Sequence, residues 1–511
     1  MNTAVETIGT ERELGQGRWW ALAALVLSGL VLGLDATILV TALPTLSAKL
    51  GATTSELQWI LDAYTLALGG LLLPAGVLGD RLGRRRLLLV GLLLFGVASV
   101  AASQMTSATG LIWARAAMGA GGAIIMPLSL SILPTMFSEA ERPRAVALAA
   151  VGAFLGMPLG PLVAGWLLTH FAWGSVFLIN VPVVVLALLG VWLLVPESRD
   201  PDAPRLDWIG AVLAVAGVTG VVYGIIEEPG DGWTDPRVLG GVLGGALVIA
   251  VFVAHELRTR SPLVDLRLFR DGRFTWSTVA FVVIGAGMFG GLFVLAPYLQ
   301  VVQGNDAQGT GIRLLPMIAA VLAGALASDR LTARLGTRVM VSGGLLISAA
   351  GMVLLSRAGG ETGYGLVAAS LTVIGLGMGL GMPPALDAIL GALPPTQTGA
   401  GTALTRTLQQ VGASLGVAVL GSILNAVYRG ALDPHLPGLP APAANVARGS
   451  IAGAAAVARH LPAALAAPVW QAARDAYASG MSDVLLVSAG VVTAGAVLVA
   501  LFLPARSGHV S

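Results

Sequence analysis

Three charged side chains interrupt long apolar runs and could carry chemistry there: Asp35, Asp62 and Arg115. A charge at bilayer depth is costly, so each must face a cavity, find a partner or, for a carboxyl, take up a proton. Asp35 and Asp62 could therefore bind protons or attract a cationic substrate. The structural alternatives are an interhelical hydrogen bond for Asp35 and a solvated helix end for Asp62. We expect Arg115 to bond to acids or backbone carbonyls, either in proton coupling or as a clamp.

The composition places these runs in lipid. Hydrophobic residues make up 56% of the 511 residues and charged residues only 11%. Soluble proteins carry roughly 25% charged residues, which cover their surface. The 68 glycines allow bilayer helices to approach closely. The chain has no cysteine, which excludes disulfides and thiolate metal sites.

Fourteen apolar runs approach or exceed the roughly 20 residues that cross a bilayer. They lie at 19–43, 55–78, 86–104, 110–133, 145–168, 173–195, 208–227, 237–255, 274–299, 309–328, 336–356, 364–386, 400–424 and 482–504. Arginines concentrate in alternate loops, as expected for loops that stay in the cytoplasm. These are Arg81, Arg84, Arg85, Arg86, Arg142, Arg144, Arg199, Arg205, Arg258, Arg260, Arg267, Arg270, Arg273, Arg330, Arg334 and Arg338. The alternation predicts both termini in the cytoplasm and a multi-pass protein of a bacterial inner membrane.

A repeated turn predicts how these spans are grouped. The turn 76–86, here called the Arg-rich turn, lies between spans 2 and 3, and a looser copy at 328–338 lies between spans 10 and 11. Its candidate gating residues are Gly76, Gly79, Asp80, Arg81, Gly83 and Arg84. The matching positions predict an all-α membrane protein with two six-helix bundles and two inserted helices. The predicted parts are a cytoplasmic N-terminus 1–18, a first bundle 19–195, a linker with the two extra spans 196–273, a second bundle 274–504 with a long external loop 425–481 that carries short interfacial helices, and a cytoplasmic tail 505–511.

Two further helices carry candidate functional residues. In span 5 small residues recur every four positions and favour close helix packing, followed by a proline that could shape a cavity wall. These residues are Gly152, Gly156, Gly160, Pro161 and Gly165. In span 13, Arg406, Gln409 and Gln410 predict a polar face that lines a cavity.

Four motifs in the expected order resemble the fourteen-span drug:proton antiporters of the major facilitator superfamily. They are Leu34-Asp35-Ala-Thr37 in span 1, the Arg-rich turn, Leu111-Ile-Trp-Ala-Arg115 in span 4, and Gly152 to Gly165 in span 5. The resemblance implies the major facilitator fold, proton coupling through the span 4 arginine, and outward transport through the span 5 motif. Ala164 departs from it by replacing the first of two glycines.

The predicted function is therefore proton-coupled export of amphipathic, cationic or lipophilic drugs by alternating access. An alternative is a dedicated exporter of one metabolite or self-made antibiotic. A membrane-embedded enzyme is a distant alternative, because no clustered catalytic or metal-binding set is found, and no phosphate-binding loop points to ATP. We expect a monomer that needs lipid, protons and a small drug-like substrate, with no cofactor, no metal and no nucleic acid.

Overall fold

The described residues of the computed structural model are helical almost throughout. They comprise residues 2–138, 141–200, 206–259, 262–393 and 398–504, so the predicted tail 505–511 lies outside them. We number the fourteen long helices in chain order. They are α1 Asn2–Leu50, α2 Thr54–Leu82, α3 Arg84–Ser103, α4 Ala108–Ser131, α5 Arg142–His170, α6 Asn180–Leu194, α7 Trp208–Asp231, α8 Pro236–Glu256, α9 Gly272–Pro297, α10 Leu315–Leu335, α11 Thr337–Leu355, α12 Tyr364–Gly391, α13 Thr398–Leu432 and α14 Ala463–Phe502.

Thirteen helical stretches of the described residues are long and apolar enough to cross a membrane. They coincide with every predicted span except the fifth. The helix α5 lies at that place and has 29 residues, although several of its side chains fall outside the described set. The structure therefore agrees with fourteen spans and shows thirteen of them directly.

The helices pack as two six-helix bundles with a separate pair. Helices α1 to α6 pack among themselves, as do α9 to α14. The inserted helices α7 and α8 pack closely on each other, since a Cβ added to Gly245 would lie 2.5 Å from the backbone nitrogen of Val221. Of the two, α7 also contacts α2 and α13. The pair is thus attached to both bundles through α7.

The sequence repeat is visible in the backbone. Gly83 ends α2 with φ 115°, and Gly336 ends α10 with φ 83°. Side chains with a Cβ rarely adopt this left-handed region, so glycine is required at both turns. The two Asp-Arg turns therefore share the same helix–glycine–helix geometry.

Helical structure extends into the predicted external loop 425–481 from both sides. Helix α13 continues to Leu432 and α14 begins at Ala463, about twenty residues before the predicted span 14. The early part of α14 contacts protein, because Arg474 donates to the Gly360 carbonyl at 2.8 Å.

The segment between α13 and α14 forms two short helices, Ala441–Gly449 and Ile451–His460. They rest on the protein, because Ile451 is 4% exposed. The Ser450 hydroxyl also lies 2.7 Å from that of Ser47 on α1. The short helices were predicted, whereas their packing against the first bundle was not.

Candidate functional site

Asp35 and Arg115 form a buried ion pair inside the first bundle. Asp35 on α1 is fully buried and Arg115 on α4 is 2% exposed. The Arg115 Nη1 atom donates to Asp35 Oδ2 at 2.6 Å, and its Nε atom donates to the Ile60 carbonyl at 3.3 Å. Two buried opposite charges stabilise each other, whereas either one alone would be strongly destabilising. The prediction that Arg115 bonds to an acid and to the backbone is confirmed.

Side chains of three other helices complete this ion-pair network. The Arg115 guanidinium lies 4.2 Å from the centre of the Tyr64 ring on α2, a cation–π distance. The Asn180 amide on α6 donates to Asp35 Oδ1 at 3.4 Å and to the Ser99 hydroxyl on α3 at 3.1 Å. Each oxygen of the Asp35 carboxylate therefore has its own donor.

Asp62 is a second buried carboxyl with a different environment. It lies on α2, is fully buried, and accepts a long hydrogen bond of 3.4 Å from the Thr65 hydroxyl. The hydroxyl of Ser414 on α13 lies beside this carboxyl as a further hydrogen-bonding group. The solvated-end alternative is therefore wrong, because this side chain is buried at the boundary between the bundles. No described hydrogen bond or ion pair joins Asp62 to Asp35.

The Arg-rich turn is held by its own ion pair and by the chain that follows α6. Arg84 Nε donates to Asp80 Oδ1 at 2.7 Å. The Arg84 N–H also donates to the Ser198 carbonyl at 2.8 Å, and the Asp80 carbonyl accepts from the Asp200 N–H at 2.7 Å. This turn is thus fastened to the end of the first bundle.

Other residues of the Arg-rich turn allow close approach or face solvent. Gly76 and Gly79 lie against α4, and a Cβ on Gly83 would stand 2.8 Å from Glu197 Oε1. Arg81 is exposed. Within the described set, the charged residues of the second-half turn form no ion pair, in contrast to Asp80 and Arg84.

The small residues of α5 bring it into backbone contact with α1. A Cβ added to Gly156 would lie 2.6 Å from both the Leu30 carbonyl oxygen and the Leu34 nitrogen. A Cβ on Gly160 would lie 2.9 Å from the Ile38 nitrogen. These contacts fix the helix that carries Asp35.

Further along, α5 contacts the second bundle. A Cβ on Gly165 would lie 2.7 Å from the Ala307 carbonyl oxygen, in the short helix Ala307–Arg313. The Pro161 carbonyl approaches the same short helix. Gly152 lies outside the residues whose surroundings the structure describes. Helix α5 therefore links the Asp35 helix to the opposite bundle.

The polar residues of α13 lie between the two bundles. Arg406 Nη1 donates to Gln409 Oε1 at 3.0 Å, and its guanidinium lies 5.6 Å from the centre of the Phe281 ring. The Cβ of Gln410 is 2.9 Å from where a Cβ on Gly69 of α2 would stand. The three polar residues of α13 are half-buried. Their role in lining a cavity stays a prediction.

The bundles are joined at the end opposite the Arg-rich turn. Gln58 on α2 donates to the Val417 and Ala418 carbonyls of α13 at 3.1 and 2.9 Å. Gln300 donates to the Thr41 carbonyl of α1 at 2.7 Å. These hydrogen bonds between the bundles therefore lie away from the Arg-rich turn.

The arrangement of two related six-helix bundles agrees with the comparison to known families. The model described as Major Facilitator Superfamily matches residues 25–417. The chain belongs to the major facilitator superfamily. It is thus a multi-pass membrane transporter and not an enzyme.

Curated relatives align over almost the full length of this superfamily member. It is 35% identical over 503 residues to the multidrug efflux pump LfrA of Mycolicibacterium smegmatis. This alignment covers 98% of this chain and 99% of the relative. It is 33% identical to the tetracenomycin C resistance and export protein of Streptomyces glaucescens, over 95% and 92% of the two chains. It is 34% identical to the methyl viologen resistance protein SmvA of Salmonella typhimurium, over 93% and 95%.

Solved structures agree on the fold. A bacterial homologue of the human lysosomal transporter Spinster, solved inward-facing and unoccupied, matches with TM-score 0.68 and 15% identity, over 97% of this chain and 99% of that one. A D-xylose–proton symporter matches with TM-score 0.61 and 15% identity, over 95% and 98%. At this identity the likeness concerns the major facilitator fold alone.

Sequence reasoning missed three members of the ion-pair network, namely Tyr64, Ser99 and Asn180. Asn180 places an amide in an otherwise apolar run, and the argument applied to Asp35 could have singled it out. Tyr64 gives no comparable signal, because an aromatic residue in a span usually serves packing.

Proposed function

We propose that this chain is a proton-coupled antiporter that exports amphipathic, cationic or lipophilic drugs and antibiotics across the cytoplasmic membrane by alternating access. The buried Asp35–Arg115 pair carries the coupling half of this proposal. A proton on Asp35 would break that pair and free Arg115, so that proton binding changes the packing of five helices. The resistance and efflux proteins among the relatives support the substrate class.

The Arg-rich end is assigned to the cytoplasm because arginine is costly to translocate. The bonds of Gln58 and Gln300 between the bundles then lie towards the outside. In the proposed cycle, substrate binds between the bundles from the cytoplasm while Asp35 is paired with Arg115. Opening to the outside breaks the outer bonds, releases the substrate and admits the next proton.

Asp62 and the polar face of α13 are assigned to substrate and proton handling at the bundle boundary. A buried carboxyl without a cation attracts a cationic substrate or carries a proton. Arg406, Gln409 and Gln410 offer hydrogen bonds on the facing helix. We assign energy supply to the proton gradient, with no cofactor or metal, and expect a monomer to suffice without nucleic acid.

A dedicated exporter of one self-made antibiotic is the second candidate. The tetracenomycin C resistance and export protein, 33% identical, is the observation that favours it. Expression in an efflux-deficient host against a broad compound panel separates the two. The multidrug proposal expects raised resistance to several unrelated cationic or lipophilic compounds. Resistance to one compound class only would support the second candidate.

Asp80→Asn should slow turnover without changing which compounds are exported. The ion pair with Arg84 is partly exposed, so its loss should cost stability only about 1 kcal/mol or less. We expect dye efflux to slow about tenfold, because gating motions often limit transport-type cycles. Asp329→Asn is the matched control in the second-half turn, where no ion pair is found among the described residues, and should keep the wild-type rate. An altered compound profile in Asp80→Asn would contradict the gate assignment.

Both termini should be cytoplasmic, whereas the segment near the short helix Ala441–Gly449 should be external. An even number of spans requires the two termini to lie on the same side of the membrane. Reporter fusions that are active on one side of the membrane only, placed at each end and after Gly438, measure this. An external terminus would show that the span count is wrong.

A further inference from the structure

The last turn of the inserted helix α7 has backbone oxygens that its own helix does not satisfy. In an uninterrupted helix the residue at 229 would donate its N–H to the Ile225 carbonyl, but Pro229 has no N–H. The Pro229 carbonyl lies in the final turn, where helix carbonyls lack internal donors. An unpaired carbonyl in the bilayer is costly. These two oxygens therefore need outside donors.

Both donors come from α13 of the second bundle. The Ser422 hydroxyl donates to the Ile225 carbonyl at 2.7 Å. Arg429 Nη1 donates to the Pro229 carbonyl at 3.0 Å. Because each bond pairs an oxygen that the helix leaves free, α7 is tied firmly to α13.

The contacts of α7 with α2 of the first bundle are looser. The Ser55 hydroxyl reaches the Ile226 carbonyl only at 3.4 Å, and the Trp59 indole donates to the Glu227 carboxylate at 3.1 Å. Below these contacts an apolar cavity of about 610 Å³ lies beside the contact between the two helices. It is lined among others by Trp59, Leu71, Pro74, Trp208, Val215 and Tyr223. The helices touch where Val215 packs on Gly70. Apolar contacts of this kind can slide without leaving a polar group unpaired.

We propose that α7 moves with the second bundle and slides along α2 when the bundles rock, so that the inserted pair is a strap covering the α2–α13 boundary from the lipid side. The proposal rests on the transport cycle proposed above. Opening of the external end then breaks the α2–α7 contacts and preserves the α7–α13 bonds. The two extra spans would thereby reseal the boundary after each cycle.

A disulfide between α2 and α7 tests the sliding directly. The chain has no native cysteine, so an introduced pair can react only with itself. A Cβ at Gly70 would lie 3.4 Å from the Val215 Cβ, close to the separation of about 3.5–4.5 Å in disulfides. The matched control joins Gly495 on α14 to Val283 on α9, where the corresponding distance is 3.6 Å within one bundle.

Oxidised Gly70→Cys/Val215→Cys protein should lose dye efflux by at least about tenfold, since a blocked conformational step limits turnover, and should regain it on reduction. Oxidised Gly495→Cys/Val283→Cys protein should keep the wild-type rate. Full efflux by the cross-linked α2–α7 variant would overturn the strap. Failure of that disulfide to form while the control forms would overturn it too. Absence of export by the wild-type protein would instead count against the proposed function.

Spin-label distances provide a second readout if the cross-linked variant folds poorly. Trp208 on α7, Leu82 on α2 and Leu335 on α10 are exposed at 59%, 59% and 54%. The distance between labels at positions 208 and 82 should change between acidic and alkaline conditions. The distance between labels at positions 208 and 335 should stay constant. The opposite pattern would show that α7 moves with the first bundle.

Discussion

Asp35→Asn should abolish proton-coupled export, and the cause should be separable from loss of folding. The substitution leaves Arg115 buried without its counter-charge. Breaking a buried pair from one side typically costs about 3–5 kcal/mol. The single variant should therefore unfold at a lower temperature and export nothing above background. Dye efflux in cells and thermal unfolding of purified protein measure the two effects.

The double variant Asp35→Asn/Arg115→Gln removes both charges and should recover most of the lost stability. It should still fail to export, because no group at this site can exchange a proton. Glu141→Gln is the control for loss of an ion pair as such, since its pair with Arg18 at 2.9 Å is half-exposed. That change should lower the free energy of unfolding by about 1 kcal/mol or less and leave efflux intact. Export by the stable double variant would show that the pair is only a clamp.

Gly156→Ala should disrupt the protein although it adds a single methyl group. The new Cβ would lie 2.6 Å from backbone atoms of Leu30 and Leu34, which cannot turn aside as a side chain could. Helices α1 and α5 must then separate, which moves Asp35 relative to Arg115. Overpacking of this kind costs about 1–3 kcal/mol, and we expect efflux to fall by more than about tenfold.

Gly291→Ala is the matched control for this substitution. Gly291 lies within α9, and a Cβ there meets nothing within 4 Å. Alanine favours a helix by up to about 1 kcal/mol over glycine, so this variant should be as stable as the wild type or more so. Equal unfolding temperatures and efflux rates for the two alanine variants would mean that α5 does not contact α1 as described.

The span count and the bundle division could be read from the sequence because both rest on local properties. An apolar run long enough to cross lipid, and an arginine too costly to translocate, are each visible without knowing neighbours. The glycines Gly83 and Gly336 were recognisable for the same reason, since each stands in a repeated turn. The early start of α14 at Ala463 was not predicted, because the apolar run that defines span 14 begins only at residue 482 and the preceding turns depend on protein contacts such as that of Arg474 with the Gly360 carbonyl.

The partners within the candidate site were only partly predictable. Asp35 and Arg115 are 80 positions apart, and each could be recognised as needing a partner. The pairing itself depends on how α1 and α4 pack, together with Asn180 from α6. The burial of Asp62 at the bundle boundary also depends on α13, whose approach no local pattern reveals.

Proton-driven dye transport by purified protein in liposomes tests the central claim most directly. Vesicles with an acidic interior and a cationic dye outside allow the protein to exchange internal protons for external dye. The account predicts that wild-type protein accumulates dye inside while protons leave, and that collapsing the gradient with a protonophore stops the dye accumulation. The stable Asp35→Asn/Arg115→Gln variant should neither accumulate dye nor release protons in exchange for it. Dye movement that continues unchanged after the pH gradient is collapsed would contradict proton coupling.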